Sequence, residues 1–161
     1  MKNFDSLGAL AVEIGSRIAA EAAAEHRALE RATVLVQRTA IGRLGEYQGP
    51  AGPFAGWAPL AASTVTEKER LGFAAPDNPE LRTGRMGGTI ERQVEWPEGH
   101  VGSNDQVLEW QELGTSRMPP RSIIGGAAAE KAEEIAAIVG EEVFLSLVGD
   151  EVVGGRLSIS E

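Results

Sequence analysis

The chain has 161 residues, 42% hydrophobic and 24% charged, a soluble globular mixture that reads as one domain over residues 1–149 followed by a short tail. Twenty-four acidic against fifteen basic residues give a net charge of −9, which repels phosphate backbones and argues against sequence-specific DNA binding. The absence of cysteine excludes disulfides, thiolate metal sites and a cysteine nucleophile, and no apolar run approaches the ~18 residues that cross a bilayer, so no membrane partner is expected.

Taken in chain order, Phe4, Leu7, Ala11, Ile14, Ile18 and Ala22 recur in steps of three and four, and the stripe resumes at Leu29, Ala32, Val36 and Ala40. This predicts a helix over 5–44. At 1.5 Å per residue it is ~60 Å long. It therefore bends near 22–28, or it projects and packs against another subunit. Gly45 ends it, and 45–90 is a loop-rich middle. Within it, Trp57-Ala58-Pro59-Leu60 precedes a short helix. Thr64 with Glu67 has the form of a capping box, and Gly72 suits its end. Trp57, Leu60, Leu71 and Phe73 are the apolar anchors expected to dock that helix. The loops at 48–57 and 74–80 are expected to be the most mobile parts of a free subunit and to order on assembly.

From Ile90 the pattern changes to alternation, with Ile90, Arg92, Val94 and Trp96 on one face, a turn at Pro97, and a return through Val101. Asn104 or Asp105 caps a brief helix closed by Gly114, and the prolines at 119 and 120 hold 115–121 extended. Ser122-Ile123-Ile124 reads as a short apolar segment, followed by Gly125-Gly126 and a helix striped by Ala128, Ala132, Ile135, Ile138, Val139, Val143 and Leu147. The tail 150–161 is a tail or an added strand, on this chain or on a neighbour. The fold class is α+β: a long N-terminal helix and a C-terminal helix packed on a small, mainly antiparallel sheet. That sheet is expected to include 90–96 and 100–102, with Ile123 and part of the tail.

No catalytic constellation emerges, and no cofactor or metal is expected. His26 and His100 lack ligand spacing, there is no Gly-x-Ser-x-Gly elbow, and the glycine clusters lack both phosphate-loop patterns. The carboxylate pairs Glu67 with Glu69, Glu133 with Glu134, and Glu141 with Glu142 read as solvated helix faces. Four guanidiniums stand out instead. Arg82 and Arg85 flank Thr83-Gly84, and Arg117 and Arg121 flank the diproline, in extended or turn segments suited to carboxylates of a neighbouring subunit.

The order Trp57-Ala58-Pro59-Leu60, Ser63-Thr64, Lys68, Gly72, then Leu81-Arg82-Thr83-Gly84-Arg85-Met86 and Ile90, resembles the tailed-bacteriophage virion-morphogenesis, or tail-completion, family. Glu112-Leu113-Gly114-Thr115, Met118-Pro119-Pro120-Arg121 and Ile124-Gly125 are similar to that family's segment before its last helix. Met86, Gly88-Thr89 and Ser122-Ile123 depart from its usual residues. The resemblance implies a structural, non-catalytic protein of the virion neck, made in the host cytoplasm. It would form a homo-oligomeric ring of about six or twelve subunits that joins tail tube to head connector, with other neck and tail-tube proteins as partners. DNA would pass through the lumen without specific binding. The subunit-interface candidates are Trp57, Leu60, Arg82, Arg85, Arg117, Arg121 and Ile159.

Two other readings stand beside it. A dimeric helical interaction or regulatory module would use the N-terminal stripe as its dimerisation helix. An unrecognised hydrolase ranks last, and a deep pocket holding a perturbed carboxylate would raise it.

Overall fold

A computed structural model describes residues 5–73 and 75–148. With no proline to break it, the N-terminal stripe forms one unbroken helix, α1 (Leu7–Gly42), about 54 Å long by its 36 residues. Ser6 caps it, its hydroxyl accepting from the Ala9 N–H at 3.1 Å. Among the described residues its second half carries the buried positions, Ala24, Ala28, Thr33, Val36 and Ala40, while Leu7 and Ile18 stand in the open. Of the two expected outcomes, bending or projecting, the helix projects.

The hairpin and the two C-terminal helices are built on α1. The two strands β1 (Glu91–Glu95) and β2 (Glu98–Gly102) form an antiparallel hairpin, Glu91 opposite Gly102 and Glu95 opposite Glu98. The alternation assigned its faces correctly. Arg92 pairs with Glu30, the Trp96 indole donates to Glu25 at 2.9 Å, and Gln37 donates to the Ile90 carbonyl at 2.7 Å. A side chain at Gly99 would lie 2.8 Å from Thr33 Cγ2, so glycine lets the hairpin close on the helix.

Helix α2 (Ala62–Arg70) follows the loop-rich segment, α3 (Gln106–Leu113) follows the hairpin, and α4 (Ile124–Glu130) and α5 (Ala132–Val148) finish the described chain. α5 runs back along α1. Arg43 meets Glu130 at 2.8 Å at one end, and Arg27 and Arg31 clasp Glu142 at 3.0 and 2.8 Å toward the other. Glu142 is thus a buried clasp residue rather than part of a solvated face, and the Arg31 guanidinium, helped by Arg27, holds its carboxyl below the usual range. The expected C-terminal stripe is narrower than the sequence suggested, because Val139 and Leu147 remain exposed. The core lies where α1, α3, α4 and the hairpin converge, on Val36, Ala40, Trp57, Ile90, Leu108, Ile123 and Ala127. The architecture is α+β, as expected.

Four local expectations are corrected. α2 starts two residues before Thr64, at an Ala61 cap with no side-chain bond, so Thr64 and Glu67 form no capping box. Ile123 joins no strand, since the described sheet has two strands and Ile123 sits at the start of α4. Gly125 and Gly126 lie inside a helix of their own, α4, separate from α5. Residues 115–118 close a tight turn, Thr115 and Met118 exchanging backbone bonds of 2.9 and 3.3 Å, before the chain extends through the prolines. The proposed strand in the tail lies outside the described residues. Among the described residues no helix is long and apolar enough to cross a membrane.

Candidate functional site

Beside the C-terminal end of α1 a half-open cleft of about 800 Å³ is walled by α2, the segment leading into the 3-10 helix Arg85–Thr89, α3 and the 115–121 turn. Each wall is fixed by a local device. α2 ends in a Schellman arrangement: Gly72 adopts φ +78, its N–H bonds the Glu69 carbonyl, and the Phe73 N–H bonds the Lys68 carbonyl. The next segment is tied down where Gly45 N–H meets the Pro79 carbonyl at 2.9 Å and the Lys68 ammonium donates to the Asn78 carbonyl at 2.6 Å. Pro79 is fully buried. The 48–57 loop is closed on itself, Trp57 N–H bonding the Gln48 carbonyl at 2.8 Å. The Gln48 amide also donates to the Arg43 carbonyl at 3.1 Å, so each of these two segments has a bond to the C-terminal end of α1.

The turn after α3 is held by a 2.6 Å bond from the Arg121 N–H to the Gln111 carbonyl. This aims the Arg121 side chain along the cleft floor, where one terminal nitrogen donates to the Ala58 carbonyl at 3.1 Å and the other lies 3.5 Å from Glu80 Oε1. Arg121 is 4% exposed and Lys68 2% exposed. Glu80 lies between them with φ +57, a conformation uncommon for a residue bearing a Cβ. Its burial pushes the carboxyl up to about 7 against the opposing pull of Arg121 and Lys68. Burial likewise lowers the Lys68 ammonium, aided by the nearby Arg82 charge. Arg121 Nε and Gln111 Oε1 are buried without hydrogen-bond partners.

Among the described residues, the basic side chains of Lys68, Arg82, Arg85, Arg117 and Arg121 line the cleft with two acids, Glu80 and Asp105. These described side chains give the cleft a formal charge of +3 in a chain whose net charge is −9. Apolar contributions from Leu60, Leu81, Met86 and Val107 complete its walls.

Of the seven interface candidates, Leu60, Arg82, Arg85, Arg117 and Arg121 come together here. Two need correction. Trp57 is buried in the chain's own core, its indole donating to the Ser122 carbonyl at 3.3 Å with the Arg43 guanidinium 5.6 Å from its ring centre. Arg121 finds its carboxylate within the chain. Neither offers a free surface to a neighbour. Ile159 lies outside the described residues. α2 is docked chiefly by buried Lys68 and not by Leu71, which is half exposed.

The sequence reading missed Glu80 and Glu112. No local pattern marks Glu80, which becomes buried only when distant segments meet. Glu112, projecting from α3, accepts from the Ile123, Ile124 and Gly125 N–H groups at 2.6 to 2.9 Å and from the Ser122 hydroxyl at 2.6 Å. It thereby satisfies the free donors at the start of α4, which no side chain of α4's own cap supplies. Comparison of the chain with protein-family models, curated proteins and solved structures finds no match.

Proposed function

We propose that this chain is a structural virion protein of a tailed phage, a ring-forming tail-completion or neck subunit joining tail tube to head connector. The observation that carries the reading is convergence. The three stretches on which the family resemblance rests, around 57–68, 81–86 and 115–121, are far apart in sequence and line one cleft. A ring subunit needs two unlike surfaces that meet, and the chain offers a cationic cleft and, remote from it, a projecting apolar arm. The surplus negative charge outside the cleft suits a lumen through which DNA passes without adhering.

Two observations favour other readings. The exposed stripe of α1 also suits a symmetric helix pair, the dimeric interaction module. Glu80, near 7 in an open cleft, has a value useful for general acid–base work. Its side chain is only 2% exposed and lies between two cations, so a substrate atom does not reach its oxygens. That geometry speaks for a buried charge cluster and against hydrolysis.

The test is the mass distribution of the purified protein with negative-stain images, alone and with tail tubes added. Closed rings of about six or twelve subunits, or caps on tube ends, are expected. A compact dimer that neither closes into rings nor caps tubes overturns the neck reading in favour of the interaction module.

A further inference from the structure

The apolar arm and the cationic cleft occupy opposite ends of the molecule. On the arm, Leu7, Leu10, Ile14 and Ile18 follow helical spacing, and Leu7, Ile14 and Ile18 are 85%, 48% and 63% exposed. An apolar stripe this exposed calls for cover. It cannot find that cover in its own cleft, because Ile14 and Arg43 are separated by roughly 44 Å of continuous helix.

The cleft has what such an arm lacks. Its walls are apolar at Leu60, Leu81, Met86 and Val107. The exposed guanidiniums of Arg82, Arg85 and Arg117 give it a cationic rim, above buried Lys68 and Arg121, which already face the buried carboxylate of Glu80. Residues 5–22 of the arm carry three acids, Asp5, Glu13 and Glu21, against one base, Arg17. Glu21 is exposed and lies one helical turn beyond Ile18.

We propose that the arm of one copy seats in the cleft of a second copy. Its apolar stripe lies on the cleft walls in the helix-in-groove manner, and the Glu21 carboxylate faces the cationic side. The contact is heterologous, one patch on a different patch, and each copy keeps a free arm and a free cleft for the next. This interface deepens the ring reading and rests on it for self-association.

Complementation by full-length variants tests it. The arm variant Ile14→Asp/Ile18→Asp and the cleft variant Arg82→Glu/Arg117→Glu change exposed side chains only, so each retains the native far-UV circular dichroism and cooperative unfolding. In sedimentation velocity the wild type self-associates, and each variant alone associates about tenfold or more weakly. An equimolar mixture restores one intact arm–cleft pair and gives a discrete dimer that grows no further. Three results overturn the proposal: a cleft variant that self-associates like wild type, a mixture that stays monomeric, or a wild type that remains monomeric throughout. Rings that resist both variants would remove this interface and leave the neck reading standing. Arm–cleft dimers from the mixture, with a wild type that forms only open filaments, would do the reverse.

Discussion

At Glu80 three segments remote in sequence meet: the end of α2 through Lys68, the stretch following Pro79, and the strand-like run after α3 through Arg121. The carboxyl is pushed up to about 7 by burial from an ordinary 4.5. Between those values the folded chain binds more protons at this site than the unfolded chain does. Its contribution to stability is therefore fully present below pH 4.5 and is lost as pH rises toward 7, by up to about 3 kcal/mol. Glu80→Gln removes the titration, so in urea unfolding the variant should gain on the wild type between pH 5 and 7 and level off above that. Parallel pH profiles would refute this account of the cluster. Nothing in the local sequence announces Glu80, because its environment exists only after α1, α2 and the 115–121 turn have come together. The arginines of the same cleft were legible, since guanidiniums in turn segments stand out in an acidic chain. What the sequence could not reveal was that Arg121 would turn inward.

At the scale of elements, legibility follows periodicity. α1 and the hairpin were readable because steps of three and four, and then alternation, persist over many residues. α4 was not, because Gly125 and Gly126 read as a turn and glycine disfavours helix. Two neighbours override that propensity: Glu112 binds the free N–H groups at its start, and Arg43 lies so close that only glycine fits. A Cβ at Gly126 would sit 2.6 Å from Arg43 Nη2, a nitrogen within 3.4 Å of the Ser122 carbonyl on a side chain that also pairs with Glu130. Gly126→Ala should therefore destabilise by about 1–3 kcal/mol despite the better helix former. Gly140 in α5 has nothing within 4 Å of its missing Cβ. There, Gly140→Ala should stabilise by about 0.5–1 kcal/mol. Thermal unfolding of the two variants should move in opposite directions, and equal shifts would mean that the approach of Arg43 does not constrain α4.

Across the whole molecule, charge and apolar surface are both unevenly placed. A chain of −9 gathers +3 in one cleft and leaves the most exposed part of its long helix at the other end. If association joined two arms through their stripes, added salt would leave it unchanged or strengthen it, because the hydrophobic contribution does not weaken with screening. Seating an acidic arm on a cationic cleft predicts the reverse. Exposed charges such as Arg82 and Arg117 are screened as the Debye length shrinks from about 14 Å near 0.05 M to about 4 Å near 0.5 M. Self-association should weaken by roughly tenfold over that range, most of it through slower encounter of the partners. Sedimentation across a salt series, with the Arg82→Glu/Arg117→Glu variant as reference, makes the distinction. A wild type whose association is flat or rising with salt would mean that the apolar stripe acts alone. A decline absent from the variant would place the charge term in the cleft, and would tie the two ends of the molecule into one directional contact.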